Sequence, residues 1–277
     1  GCRRIILARE LSLKEIREIH EKADVELEVF VHGAMCLAYA GRCILSAYFT
    51  GRGANRGECT QPCRWSYTLT EENRPDDPLL LTEEEEGSYI LSSKDLNMLE
   101  HIPALIEAGI HGLKVEGRMK GTHYVATVTR VYREAIDRYL RQPQKFTLDP
   151  AWEEELSKVS HRPYHTGFYF GRPEQVDPME KERYRQRCTL AAVVLEYDRE
   201  EEIALIEQRN YFEKGEELEV FGPDGKPFRF MVEKIFNLAG NEVDAASHPR
   251  EHLRIPVAGK VAPMDILRKY LPRSGTE

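Results

Sequence analysis

The sequence predicts an α/β protein: the C-terminal half of a TIM-like (β/α)8 barrel followed by a small all-β barrel. Three observations lead there. Strand-like and helix-like segments alternate four times up to Arg141, which implies a parallel sheet. From Thr189 the pattern switches to short strands separated by turn residues. A complete (β/α)8 barrel takes about 250 residues, and the alternating region is much shorter than that. The chain starts on Gly1 rather than Met, so the front half of the barrel is expected to lie outside it; a small open α/β sheet, complete as it stands, is the alternative. The expected boundaries are 1–141 for the partial barrel, with a cysteine-rich insertion at 33–66, then a linker at 142–187 and the β-barrel at 188–277.

Each element has its own signal. "RIILARE" at 4–10 is a compact apolar run that ends in the charged pair Arg9 and Glu10. "SLKEIREIHEKA" follows as a helix: Ser12 and Glu15 have capping-box spacing, and Leu13, Ile16 and Ile19 share a face. "VELEVFVHG" is a second strand, so the start of the chain is a βαβ unit. "SYILSSKDL" reads as a third strand running into a turn, and "IPALIEAG" as a short helix with Pro103 near its start and Gly109 at its close. "GLKVEG" is the fourth strand. The long amphipathic helix "THYVATVTRVYREAIDRYL" then places Val125, Val128, Tyr132, Ala135 and Tyr139 on one side. In the last third, "TLAAVVLEY", "EIALIEQ", "EELEVFG", "PFRFMVEKI" and "HLRIPV" read as strands, with "GPDGK" as a tight hairpin turn.

Composition narrows the class. Hydrophobic residues make up 41% and charged residues 31% of the 277, as in an ordinary globular protein. No apolar run approaches the roughly 20 residues needed to cross a bilayer, and the charged start is unlike a secretory leader. No membrane partner is expected, and the expected compartment is the cytoplasm, where clustered thiols more often hold metal than disulfides. The net charge of −8 gives no long-range attraction for a polyanion. Local basic stretches do occur: eight Lys or Arg against three acids from Lys114 to Lys145, and four basic residues against one acid in "KERYRQRC" at 181–188. Such stretches read as solvated faces or as a nucleic-acid surface.

The most informative feature is the run of four cysteines, Cys36, Cys43, Cys59 and Cys63, separated by 6, 15 and 3 residues. Structural zinc sites pair cysteines more closely, and only the last two fit that pattern. An iron–sulfur cluster tolerates wider spacing, and Gly33, Gly41, Gly51, Gly53 and Gly57 let the backbone wrap a bulky core. Cluster, zinc and plain structural thiols all remain open on spacing alone. Cys2 and Cys188 lie far from the others and read as small apolar residues.

The segment Glu28-x-Phe30-x-x-Gly33-Ala34-Met35-Cys36, followed after four residues by Gly41-x-Cys43-x-Leu45-Ser46, resembles the signature of peptidase family U32, the collagenase-like proteins. "LARELSLKEI", "SSKDLNMLEHIPALIEAGI", "LKVEGRMK" and "GFYFG" resemble it too, so the likeness spans nearly the whole chain. The resemblance implies a further N-terminal half-barrel and a small C-terminal β-barrel. It also implies a [4Fe–4S] cluster on Cys36, Cys43, Cys59 and Cys63, and RNA modification. The nearest subfamily converts the wobble uridine of certain tRNAs to 5-hydroxyuridine in a prephenate-dependent reaction. Sister groups hydroxylate a 23S ribosomal RNA cytidine or take part in ubiquinone hydroxylation. The implied partners are tRNA and a small anionic hydroxyl donor, with room for a homo- or heterodimer with a family paralogue.

The family name raises peptide hydrolysis as the alternative activity, and a non-catalytic RNA-binding partner is a third. The sequence holds no His-Glu-x-x-His motif and no Gly-x-Ser-x-Gly elbow, although His32 lies four residues from Cys36 and could form a Cys–His pair. For hydroxylation, active sites of such barrels lie at the C-terminal ends of strands. The candidates there are Arg9 and Glu10, His32, Lys94 and Asp95, and Glu116 and Arg118. Arg9 or Arg118 could grip a carboxylate, and Glu10, His32 or Glu116 could move protons. Plainer roles compete: a rim ion pair for Glu116 and Arg118, a neighbouring acid for Arg9, a helix-entry charge for Glu10. The RNA candidates are Lys120, Arg130, Arg133, Arg138, Arg141, Arg183 and Arg185. Tyr164, Phe168, Tyr169 and Phe170 could stack on a base or seal a domain junction.

Overall fold

The computed structural model describes residues 1–36, 38–65, 68–71, 74–80, 94–171, 185–223 and 225–272. The chain divides into two compact units, 1–116 with 139–146 and 162–183, and 117–138 with 147–161 and 184–277.

In the first unit, β1 (Arg4–Ile6) leads into α1 (Leu13–Lys22). The predicted capping box forms: Ser12 N–H donates to Glu15 Oε2 at 2.8 Å, and Glu15 N–H to Ser12 Oγ at 3.3 Å. Leu13 and Ile16 are buried and Ile19 is half-buried. The sequence suggests a compact apolar start, but Ile5 and Ile6 of β1 are exposed. β2 (Glu26–Ala34) alternates as a half-buried strand should, with Leu27, Val29 and Val31 inside. The cysteine segment then carries the short helix α2 (Leu45–Thr50), and β3 (Thr68–Glu71) pairs antiparallel with β4 (Arg74–Leu80). β5 (Asp95–Asn97), α3 (Ile102–Glu107) and β6 (Gly112–Val115) follow. Gly109 closes α3 with a φ of 79°, and a Cβ there would lie 2.2 Å from the His20 ring, so only glycine fits.

β2 lies parallel to both β1 and β6, as expected, but β5 pairs with it antiparallel, His32 opposite Asn97 and Ala34 opposite Asp95. A parallel return needs a crossover that packs on the sheet. The connection here carries the cysteine segment instead, and the chain comes back in the opposite direction. "SYILSSKDL" also differs from expectation in placement: its described strand begins at Asp95, and residues 88–93 lie outside the described set. β7 (Tyr164–His165) adds to β5 in parallel. Asp95 is fully buried against Arg162: its Oδ1 accepts from Arg162 Nε at 3.1 Å and lies 3.0 Å from Nη2, while Oδ2 accepts the Arg162 amide at 3.2 Å. Asp95 is thus a structural ion-pair partner, not a free strand-end acid.

The second unit holds most of α4 (Thr122–Arg141), and α5 (Pro150–Ser157) whose N-cap Asp149 accepts from Ala151 N–H at 3.0 Å. α5 and β7 both fall within the stretch that reads from sequence as a linker. Tyr124, Val128, Val131, Tyr132 and Ala135 of α4 are buried, whereas Val125, expected inside, is 42% exposed. At about 100° per residue the stripe runs through 124, 128, 131 and 135, and Val125 lies on its flank. The strands β8 (Cys188–Asp198), β9 (Ile203–Gln208), β10 (Phe212–Glu213), β11 (Glu217–Phe221), β12 (Phe228–Met231), β13 (Ile235–Asn237), β14 (Glu242–Val243), β15 (Ala245–Ala246), β16 (His252–Pro256) and β17 (Ile266–Tyr270) complete the chain. Eight of them form one antiparallel sheet in the order β12-β11-β17-β8-β9-β16-β13-β14, with β10 and β15 as a separate pair. "GPDGK" does lie in the β11–β12 hairpin, but six residues, 222–227, connect the strands, so the turn is not a two-residue one. Ala192, Val194, Ile206, Leu218, Leu253 and Leu267 are among the residues of the core.

Beside that core lies a buried charge cluster. Arg268 Nη2 donates to Glu155 Oε2 at 2.8 Å and its guanidinium also grips Glu219, while Lys158 Nζ reaches Glu155 at 2.7 Å and Glu219 at 3.3 Å. His123 is buried near these groups, and its pKa is pushed down to about 4 by burial and then by the Arg268 cation.

Two outcomes follow. Asp95→Leu removes the buried carboxylate that pairs with the Arg162 guanidinium and should cost about 3–5 kcal/mol in urea unfolding. Adding Arg162→Met should recover most of it. His123 folds neutral, whereas an unfolded imidazole titrates near 6.5, so below that pH the unfolded state takes up the proton first. Stability should therefore fall as pH drops from about 6.5 to 4, by up to about 3 kcal/mol. His123→Gln should remove that component when urea midpoints at pH 7 and pH 4.5 are compared with those of the unsubstituted chain.

Candidate metal centre

The four cysteines sit on loops bound to one another by hydroxyl and amide hydrogen bonds. Ser46, at the start of α2 and fully buried, accepts from Thr60 N–H at 3.0 Å and lies 3.1 Å from the Thr60 hydroxyl. Thr50 Oγ1 donates to Ser46 O at 2.7 Å and lies 3.2 Å from Thr60 Oγ1. These contacts fix the Cys59–Cys63 segment against the helix that begins two residues after Cys43. Asn55 Nδ2 donates to Gly41 O at 2.8 Å and ties the next turn to the Cys43 loop. Gln61, in the left-handed region at a φ of 57°, directs its N–H to Cys59 Sγ at 3.3 Å. A non-glycine residue there costs about 1 kcal/mol or more. The sequence reading missed Ser46, Thr50, Thr60 and Gln61; hydroxyls spaced i, i+4 on a short helix were their only trace.

All six cysteines are free thiols. Cys36 is exposed, and Cys43, Cys59 and Cys63 are half-buried. Among the described residues no three or more His, Cys, Asp or Glu side chains form a group able to hold a metal ion. The donor chemistry of four thiols suits an iron–sulfur cluster, which Cys36, Cys43, Cys59 and Cys63 would hold. Cys188 packs in the interior as expected, its thiol pushed up to about 11 by burial, but Cys2 is exposed and not packed.

Arg9 and Glu10 join this centre from the end of β1. Arg9 Nη2 donates to Ala38 O at 2.7 Å, and Glu10 Oε1 accepts from Ala40 N–H at 2.8 Å. Arg9 Nε lies 3.5 Å from Glu10 Oε1, the neighbouring-acid pairing the sequence left open. Both side chains thus clasp the loop between Cys36 and Cys43. Glu10 Oε2 is buried and accepts no hydrogen bond from the described residues. His32 is fully buried in β2, its ring centre 5.3 Å from that of Tyr164. Gly33, at a φ of 120°, lets β2 pass the β6 end: a Cβ would come within 2.6 Å of Glu116 O. Glu116 is half-buried; Arg118, in the second unit, is exposed. His165, next to Tyr164, has its pKa lowered chiefly by burial. Tyr169 is buried within the first unit and its OH donates to Phe30 O at 2.7 Å, so this ring is not available to stack on a base.

The basic candidates divide. Arg130 donates to Glu134 at 2.9 Å, to Gly222 O at 2.7 Å and to Gly225 O at 2.6 Å, so all three of its nitrogens serve the fold. Arg138 pairs with Asp149 at 2.8 Å and lies 4.2 Å from the Trp152 ring centre. Lys120 Nζ donates to Ser160 O at 2.7 Å. Arg133 pairs with Asp137 at 2.6 Å at the surface. Arg141 and Arg185 are exposed, and Arg183 lies outside the described residues. No helix among the described residues is long and apolar enough to cross a membrane.

A mixed α/β unit carrying a four-cysteine segment, joined to an antiparallel C-terminal sheet, defines the class. The profile of peptidase family U32 matches residues 1–178 and that of the family's C-terminal domain residues 186–268. The chain belongs to peptidase family U32. Its relatives include tRNA hydroxylation protein P1 of Bacillus subtilis, 44% identical across 97% of this chain and 64% of that protein. They also include tRNA hydroxylation protein P of Escherichia coli (32% identical, 98% and 67%) and a collagenase of Porphyromonas gingivalis (32%, 96% and 66%). The chain thus spans about two thirds of these relatives' length.

Glu10→Ala should release the Ala40 amide and raise its hydrogen-exchange rate about tenfold, while amides of β2 stay protected. Equal protection at Ala40 in both forms would show that the clasp does not hold the loop.

Proposed function

We propose that this chain is the cysteine-bearing part of a tRNA-hydroxylating protein that forms 5-hydroxyuridine at the wobble position, with a [4Fe–4S] cluster on Cys36, Cys43, Cys59 and Cys63 and prephenate as the anionic hydroxyl donor. The sheet of the first unit is one half of a (β/α)8 barrel in this reading. The observation that carries it is the Arg9–Glu10 clasp, because it brings a guanidinium and an unsatisfied carboxylate oxygen onto the same loop as two of the four thiols. The names of the Bacillus and Escherichia relatives support the substrate class.

When bound, the cluster supplies redox and Lewis-acid chemistry. The chain's own groups do the rest. Arg9 holds the 38–40 loop and offers positive charge to a donor carboxylate. Glu10 Oε2, enclosed and without a partner, is the atom placed to take or return a proton. The Gln61 N–H, 3.3 Å from Cys59 Sγ, holds that sulfur in place. Peptide hydrolysis, the reading favoured by the collagenase relative, is less well supplied: His32 is fully buried, so its ring is not open to a peptide substrate.

Anaerobic reconstitution of the chain with iron and sulfide should give a brown protein with about four irons, and Cys59→Ala should lower that content. Nucleoside mass spectrometry of tRNA from a deletion strain should show loss of 5-hydroxyuridine, restored by the intact gene and not by Cys59→Ala. Undiminished 5-hydroxyuridine in the deletion strain, or gelatin cleavage by the colourless protein, would overturn the reading.

A further inference from the structure

The cysteine segment carries a surface that neither the clasp nor the thiols use. Tyr48 is 80% exposed, Ile44 73% and Tyr39 64%, with Phe49 at 47% and Trp65 at 40%. The rings form a chain: Tyr48 and Phe49 meet edge-on with centroids 5.1 Å apart, and Phe49 and Trp65 lie 5.8 Å apart. Contiguous bare aromatics are uncommon on a globular protein and mark an interaction face. Charge identifies the occupant. Between Cys36 and Trp65 the sequence holds four arginines and one acid, Glu58, in a chain whose net charge is −8. Arg42, Arg52 and Arg56 are exposed and form no ion pair among the described residues, unlike Arg130, Arg133 and Arg138.

We propose that Tyr48, Phe49 and Trp65, with Arg42, Arg52 and Arg56, form a docking face for unpaired RNA, on which bases stack and phosphates pair with the guanidinium groups. The chemistry suits a single strand rather than a duplex. Exposed rings offer their faces to unstacked bases, which a helix keeps stacked, and unpaired arginines can follow the backbone without reading sequence. The inference rests on the tRNA reading for its biological partner and deepens it: the RNA meets the protein on the segment that bears the thiols, while Arg130 and Arg138 of α4 hold other parts of the fold.

The test measures binding by the chain of a fluorescently labelled single-stranded oligoribonucleotide, of a tRNA anticodon stem-loop, and of a fully paired duplex. The expected result is preference for the two unpaired targets, quenching of Trp65 fluorescence on binding, and an affinity loss of about tenfold for Tyr48→Ala or Phe49→Ala. Arg52→Gln should reduce the slope of log K against log salt by about 0.7. These side chains point to solvent, and an unchanged melting temperature will confirm that each variant is folded. RNA binding that all three variants leave at full strength would overturn the face while leaving the tRNA reading intact. Failure of the unsubstituted chain to bind any RNA would also overturn it, as would variants that lose only self-association or protein capture. Single-strand binding lost in the variants, in a protein whose deletion leaves 5-hydroxyuridine unchanged, would uphold the face and sink the tRNA reading.

Discussion

The buried pair of Asp95 and Arg162 is the constraint on which the first unit depends. One carboxylate, fully enclosed, takes two side-chain contacts and a backbone amide from a residue 67 positions further on. That grip brings the 162–171 segment to the sheet, where β7 adds to β5. From the same segment, Tyr169 O accepts the Leu13 amide at the start of α1, and the Tyr169 hydroxyl donates to Phe30 O in β2. The mouth of β1, with Arg9 and Glu10, and the end of β2, with His32, are therefore braced by residues far along the chain. Removing one of two charges in so dry a place is costly, and Asp95 meets Arg162 through its guanidinium and its amide at once.

Much of this was legible in the sequence. The capping box at Ser12 and Glu15, the alternation of β2, the Gly109 stop and the length of α4 are local patterns that local physics satisfies. The failures share a cause. The antiparallel course of β5 depends on where a long insertion re-enters the sheet, which no local pattern records. β17 was missed because Arg268 and Lys269 break its apolar run; Arg268 is in fact fully buried, its charge met by Glu155 and Glu219 from elsewhere in the second unit. Val125 was placed inside because an i, i+3 count from Val128 ignored the drift of the stripe.

At the cysteine segment the sequence offered the thiol donors but not the scaffold that holds them. Spacing and resemblance pointed to the four thiols, and the clasp by Arg9 and Glu10 gives two strand-end candidates a shared task. What holds the loops is a small set of hydroxyls on Ser46, Thr50 and Thr60 rather than a packed apolar core. On the basic helix the candidates divide: Arg130 and Arg138 are turned to carbonyls, carboxylates and a ring, whereas Arg133 and Arg141 stay at the surface.

One feature of the first sheet has a practical side. Among the described residues β1 has β2 as its strand partner, and its isoleucines, Ile5 and Ile6, meet solvent at that border. A bare strand margin with apolar side chains invites a second strand to zip alongside. Arg4, drawn back to Glu26 and Glu28, leaves little charge there to discourage it. At high concentration that margin offers a place for chain-to-chain pairing, which the net charge of −8 works against.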